Sequence, residues 1–145
     1  MSRRIGTAVP RERAVVGWDE VAEMAQHGIS FGSHSATHAI LTTATARELK
    51  NEIDDSFRVL RERSGNCVPV FCYPNGTYSD EVVGRVKAAG YIGAVTTDFG
   101  WETRMPRDLF RLRRVGIHND IARTTPLFAF HMSGLNHVSS GAVID

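Results

Sequence analysis

The chain has 145 residues, of which 42% are hydrophobic, and this size and composition fit one globular domain with one core. Its 17 basic and 16 acidic side chains leave a net charge of +1, so charge gives no reason to expect a nucleic acid, an anionic membrane or an acidic polymer as partner. Apolar runs stay well short of the roughly 20 residues that a membrane-spanning helix needs, and we expect no membrane insertion.

The first residues are rich in arginine and show no helical or strand period, which predicts a flexible N-terminal arm over residues 1–17. No apolar region follows the basic start, so the sequence as written predicts no signal peptide and a cytoplasmic chain. Cys67 and Cys72 lie five residues apart without a second pair, and we interpret them as ordinary cysteines of a strand.

The first half of the chain predicts a helix, a strand and a longer helix. Apolar residues recur at helical spacing over residues 18–27, and Gly28 marks the end of that helix. Residues 29–33 alternate as a strand does and lead directly into His34. Thr45 to Glu48 forms a capping-box pattern that opens a helix running towards Gly65. The charged residues of this helix are predicted to lie on its solvated face.

The second half continues the alternation of strands and helices. Residues 68–73 predict a strand that ends in the turn Pro74-Asn75-Gly76, and Ser79 predicts the cap of a helix that stops at Gly90. Strands are predicted over residues 91–96 and 109–117, and a last helix over residues 124–132 has Pro126 in its first turn. Strands separated by helices pair in parallel, which indicates an α/β sheet or barrel.

Two histidines follow the first predicted strand directly. His34 and His38 are four residues apart, and this spacing puts two imidazoles on one side of a turn, where they can share one zinc ion. In a parallel α/β fold, ligands collect at the C-terminal ends of strands, which favours a metal site here. Surface histidines, or core histidines with satisfied hydrogen bonds, are the alternative interpretation.

Five groups of residues carry a resemblance to a known family. They are Trp18-Asp19-Glu20-Val21 with Gly28, Phe31-Gly32-Ser33-His34-Ser35-Ala36-Thr37-His38 with Leu41, Phe71-Cys72-Tyr73-Pro74-Asn75-Gly76, Gly90-Tyr91, and Arg111-Leu112-Arg113-Arg114-Val115. In order and spacing they resemble the motifs of the NodB-type polysaccharide deacetylases. The resemblance implies a deacetylase-like domain over residues 18–135 and a tail over residues 136–145. It also implies a distorted (β/α) barrel, here partial because the N-terminal strands are missing.

The resemblance implies metal-dependent hydrolysis of N-acetyl or O-acetyl groups on an acetylated amino-sugar polymer or oligosaccharide. It makes His34 and His38 ligands of a divalent metal, zinc by expectation. The amide of Asn75 would be an oxyanion donor. The remaining site residues implied are His118 as the acid, with His131 and His137 as alternatives, and Tyr73, Pro74 and Trp101 along the substrate groove.

Two positions depart from the family pattern. The family's first motif, paired aspartates at a strand end, supplies the base and a third metal ligand, but the only acid before Trp18 is Glu12. Cys72 lies where many members carry an arginine. We therefore expect a weak or inactive chain whose uncovered surface leads to self-association or binds a completing N-terminal segment. A non-catalytic carbohydrate-binding or interaction module is the alternative, and a fragment with a misplaced start is a third.

Overall fold

In the part of the chain that the structure describes, all strand pairs are parallel. The structure, a computed structural model, describes residues 15–134 apart from the side chain of Ile121, so the predicted tail and nearly all of the predicted arm lie outside the described residues. Four strands lie side by side in chain order, namely β1 (Phe31–Ser33), β2 (Cys67–Cys72), β3 (Gly93–Phe99) and β4 (Leu112–Arg114). The predicted parallel α/β arrangement is confirmed.

Helices lie before, between and after these strands. They are α1 (Trp18–Gln26), α2 (Ala46–Leu49), α3 (Ser56–Arg63), α4 (Asp80–Ala88), α5 (Asn119–Ala122) and α6 (Thr125–Met132), with a π-helical segment (Lys50–Asp55) joining α2 to α3 and short 3-10 turns at Leu41–Thr43 and Pro74–Gly76. The helices predicted before Gly28, after Ser79 and after Thr124 are confirmed. None of the helices within residues 15–134 is both long enough and apolar enough to span a membrane.

The long helix after Thr45 begins as its sequence predicts. The Thr45 side chain accepts a hydrogen bond from the Glu48 N–H, and the Glu48 carboxylate accepts one from the Thr45 N–H, which completes the capping box. The prediction is wrong at Glu52, whose side chain is only 7% exposed although the charged residues were expected on the solvated face. This carboxylate lies in the π-helical segment and points into a neighbouring loop.

The core lies between the sheet and the helices α2 to α4. Phe71, near the C-terminal end of β2, is fully buried, and the rings of Phe57 and Tyr91 stack on each other at 4.2 Å between centroids. Phe71 contacts Tyr91 edge to face at 5.3 Å. Leu49 and Ile53, on the predicted apolar face of the long helix, are buried in the same cluster. Burial of this face fixes the helix against the sheet.

The strand register sets which loops are neighbours. Ser33, the last residue of β1, pairs with Phe71 of β2, so His34 and Cys72 follow side by side. Cys72 in turn pairs with Val95 of β3. Because the strands are parallel, the segments after β1, β2 and β3 emerge at one edge of the sheet.

The last predicted strand is shorter in the structure than the sequence suggested. Its nine predicted residues reduce to Leu112–Arg114, and the short helix α5 follows instead of further strand. His118, expected at the end of this strand, occupies the N-cap position of α5 without a capping hydrogen bond from its side chain. The register between β3 and β4 shifts between Val95 and Phe99, and this irregularity limits how far the two strands can pair.

Candidate functional site

The two histidines of the predicted metal site lie together. The ring centroids of His34 and His38 are 4.8 Å apart, and the rings meet edge to face. Both side chains are exposed to solvent, so a ligand can reach them. Ser35 and His38 have positive φ values of 66° and 61°, which bend the loop tightly enough to bring the rings together. Residues with a side chain avoid this conformation, so the surrounding contacts must stabilise the loop.

The orientation of His34 leaves one ring nitrogen available for a metal. Its Nδ1 lies 2.8 Å from the backbone oxygen of Cys72. A carbonyl oxygen can only accept a hydrogen bond, so Nδ1 carries the proton and Nε2 keeps its lone pair. Histidines that bind metals are commonly oriented by such a hydrogen bond. The geometry of His34 therefore fits a metal ligand.

A buried carboxylate holds the segment between the two histidines. Oε2 of Glu52 accepts hydrogen bonds from the N–H groups of Ala36 and Thr37, at 3.0 and 2.9 Å. Its Oε1 accepts a bond from the Thr37 hydroxyl at 2.7 Å. Burial raises the pKa of Glu52, but the hydrogen bonds from Thr37 and Ala36 together lower it by more. The pKa of Glu52 therefore lies below the usual value for glutamate. Glu52 is thus ionised and holds the loop at neutral pH.

The turn after β2 presents Asn75 to solvent. Asn75 is exposed, has a φ of 55°, and lies between the buried residues Pro74 and Gly76. Its main-chain carbonyl oxygen accepts a bond from the Thr97 hydroxyl at 3.4 Å. Within residues 15–134, the main-chain N–H of Asn75 has no hydrogen-bond acceptor. A free N–H at this edge can donate to a ligand.

Tyr73 and Pro74, expected along the substrate groove, lie beneath the turn. Both are buried, and the Tyr73 hydroxyl donates to the backbone oxygen of Phe110 at 3.0 Å. Burial raises the pKa of Tyr73 well above its ordinary value. Their side chains therefore lie in the protein interior and not on an exposed groove surface.

Trp101 lies at the far end of the same edge, after β3. Its ring is 37% exposed and meets Phe99 edge to face at 5.2 Å between centroids. A Cβ atom added to Gly134 would lie 3.5 Å from the Trp101 ring, so the indole covers the C-terminal end of α6. The ring is a surface to which a sugar could bind, but it belongs to a different part of the edge from His34 and His38.

The candidate acid histidines differ in exposure. His118 is exposed at the start of α5. His131 is buried in α6, and its Nε2 lies 3.0 Å from the carbonyl oxygen of Gly116. In the described residues, no hydrogen bond or ring contact joins His118 to His34 or His38. His137 lies outside the described residues.

The donor set fits a metal only in part. Imidazole rings are suitable ligands for zinc, and the Nε2 atom of His34 is available to bind an ion. Within the described residues, no group of three or more His, Cys, Asp and Glu side chains is close enough to hold a metal ion. A stable zinc site takes three or four protein ligands, so a zinc ion bound here would need further ligands from outside residues 15–134.

Sequence patterns could not reveal two contacts near the site. Glu52 follows the helical charge pattern, and only its burial distinguishes it from solvated glutamates. The Arg114 guanidinium donates to the sulfur of Cys72 at 3.3 Å, and this arginine comes from β4, two strands away from β2 in chain order. An arginine side chain therefore contacts Cys72, the position at which the family pattern has an arginine, although this side chain comes from another strand.

Two comparisons of the sequence with known proteins point to the same family. The sequence model of one family, described as polysaccharide deacetylase, matches residues 4–94. The chain is 31% identical over 99 residues to YxkH of Bacillus subtilis (strain 168), whose name places it among the polysaccharide deacetylases. The match covers 68% of this chain and 35% of that protein, so the chain spans about a third of the relative's length.

Solved structures give the same result for the fold. A polysaccharide deacetylase from Bacillus cereus matches with a TM-score of 0.70 and 32% identity, covering 81% of this chain and 36% of that one. A structure from Bacillus anthracis, titled as a polysaccharide deacetylase, matches with a TM-score of 0.69 and 32% identity over 80% and 36%. The Streptococcus pyogenes deacetylase PplD, solved with acetate, shares the fold at a TM-score of 0.72 and 24% identity, over 81% and 50%.

Proposed function

The chain belongs to the polysaccharide deacetylase family and has part of the NodB-type fold, and from this premise we propose that it carries the two-histidine half of a metal-dependent deacetylase site. The observation that carries the proposal is the pairing of His34 with His38 at 4.8 Å, with His34 oriented by a backbone carbonyl. The substrate would be an amino sugar that bears an N-acetyl group, or a sugar that bears an O-acetyl group.

Apart from the general base, each part of the proposed chemistry is assigned to a residue or to the metal ion. A divalent ion, zinc by expectation, would supply a more acidic water and polarise the acetyl carbonyl. His34 and His38 would bind this ion through their imidazole rings. The exposed N–H of Asn75 donates to the oxyanion that forms when water attacks the carbonyl. His118 donates a proton to the departing amine, since it is the exposed histidine of the two described candidates.

We assign no general base within residues 15–134, where no third His, Cys, Asp or Glu side chain joins the two histidines in a group that could hold a metal ion. Acetyl hydrolysis needs a carboxylate or an equivalent base to take the proton of the attacking water. We propose that this base, and a further metal ligand, come from outside the described residues. The chain by itself is therefore expected to bind zinc weakly and to release acetate slowly.

A zinc titration by calorimetry, combined with an acetate assay on chitooligosaccharides, tests this function. The expected result is weak zinc binding, with slow acetate release that a chelator abolishes. Zinc binding without acetate release would support the metal half of the site and show that the base is missing. Binding of the sugar without any zinc binding would contradict the proposal and favour the alternative, a non-catalytic carbohydrate-binding module.

We also propose that the chain associates, either with itself or with a completing N-terminal segment. Strand β1 is an edge of the described sheet, and an edge strand offers unpaired backbone groups. Large apolar side chains are exposed at the start of the described chain and on α6, namely Val15 (78%), Trp18 (41%), Phe128 (44%) and Phe130 (51%). Apolar surface of this kind favours association.

Size-exclusion chromatography with light scattering tests the association. The expected result is a mass above that of one chain, or a mass that rises with protein concentration. A monomer at all concentrations, with no binding of a dye that reports exposed apolar surface, would show that the described surface needs no partner.

A further inference from the structure

The long helix contains an irregular turn that side chains stabilise. In the π-helical segment Lys50–Asp55, the main-chain hydrogen bonds reach one residue further than in an α-helix, and such turns are common at functional sites. The Ser56 hydroxyl lies 2.6 Å from the Glu52 carbonyl oxygen and 3.1 Å from that of Ile53. The Tyr91 hydroxyl donates to the same Ile53 oxygen at 3.0 Å. Two hydroxyl groups therefore hold this turn in its irregular shape.

The same turn is bonded to the strand that precedes the histidines. Ser33, at the end of β1, lies 2.8 Å from the Ser56 hydroxyl oxygen and is buried. Because the Ser56 hydrogen is directed to the carbonyl oxygens of the turn, the Ser33 hydroxyl is the donor in this pair. The turn thus contacts the histidine loop on both sides, through Ser33 before His34 and through Glu52 after it.

We propose that Glu52 is a positioning residue, which fixes the loop from His34 to His38 in the metal-binding conformation before any ion is present. This inference rests on the proposed function, because it assumes that the two histidines bind the ion. The three hydrogen bonds of Glu52 end on Ala36 and Thr37, between the histidines, so the carboxylate acts on the loop and not on the imidazoles.

The backbone of the loop explains why such a residue is needed. Ser35 and His38 both have positive φ, a conformation that a free loop would leave. A loop already held in the binding conformation does not lose that freedom when the ion binds, and the affinity is higher for it. Removal of the carboxylate should therefore weaken metal binding although both ligands remain.

Two variants and a control test the inference by zinc calorimetry. Glu52→Gln removes the charge with little change in shape, and we expect zinc affinity to fall about 10- to 100-fold, as for other residues that orient metal ligands. Thr37→Val removes only the hydroxyl bond of an exposed residue, so a smaller loss is expected. Glu62→Gln, an exposed carboxylate of α3, is the control and should bind zinc as the wild type does.

Hydrogen exchange of the Ala36 and Thr37 amides, measured without metal, gives a readout that does not depend on zinc. Both amides should exchange faster in Glu52→Gln than in the wild type. Wild-type zinc affinity or unchanged exchange in a folded Glu52→Gln protein would overturn the inference. If that variant does not fold, unchanged zinc affinity in Thr37→Val overturns it. A third outcome is a wild type that binds no zinc while the two amides still exchange faster in Glu52→Gln. This result would show that Glu52 holds the loop but that the proposed function is wrong, and it would also overturn the role of Glu52 in metal binding.

Discussion

Replacement of His34 or His38 by alanine is expected to reduce the zinc affinity of the chain by about 100-fold or more. Loss of a residue that only orients a ligand costs about 10- to 100-fold in metal affinity, and loss of the ligand itself should cost at least as much as the upper end of that range. Only one imidazole would remain of the pair that lies at 4.8 Å. The measurement is the zinc titration of each variant.

The matched control is His27→Ala. His27 is an exposed histidine at the end of α1, where its Nδ1 lies 2.9 Å from the carbonyl oxygen of Glu23. It should bind zinc as the wild type does. Both loop histidines are exposed, so the variants should keep the wild-type melting temperature. Zinc binding that survives in His34→Ala and His38→Ala together would place the metal elsewhere on the chain.

Replacement of Gly76 by alanine is expected to destabilise the protein by about 2–5 kcal/mol. Gly76 has a φ of 72°, and a side chain in this conformation costs about 1–2 kcal/mol. The added Cβ would also lie 1.8 Å from the Thr97 hydroxyl oxygen, far inside contact distance, and overpacking costs about 1–3 kcal/mol. Urea unfolding followed by circular dichroism measures the free energy of unfolding.

Two further variants separate the cost of the positive φ at Gly76 from the cost of the overlap with Thr97. Gly84→Ala places a methyl group on α4 where nothing lies within 4 Å, so it should stabilise the protein by about 0.5–1 kcal/mol. In the double variant Gly76→Ala with Thr97→Ala, part of the overlap disappears and part of the stability should return, while the cost of positive φ remains. A Gly76→Ala protein as stable as the wild type would show that the turn has another conformation in solution. In that case the position of Asn75 at the sheet edge would not be fixed.

The helices were predicted well because their signals are local. The capping box at Thr45, the serine cap at Ser79 and the stop at Gly90 each depend on residues within one turn of the helix, and each occurs in the structure. The last strand was predicted too long for the opposite reason. Leu112–Arg114 can only extend as far as its partner β3 allows, and that partner lies more than a dozen residues away along the chain.

The histidine pair is predictable from spacing, but its support is not. A spacing of four residues brought His34 and His38 together as the sequence predicts. The groups that orient the loop come from residues 16 and 38 positions away, since Glu52 binds the loop and the Cys72 carbonyl binds His34. No periodic pattern in the sequence distinguishes these partners from neighbours of the same residue type.

The sequence by itself determined the family and the parallel α/β class, because ordered motifs and local caps are formed by neighbouring residues. It also predicts which residues would bind a metal. Only the tertiary structure decided which glutamate is buried, which ring nitrogen of His34 stays available, and which groups face one another at the sheet edge. Those decisions depend on strand register and on the irregular turn of the long helix. Both arise from contacts between segments far apart in the chain.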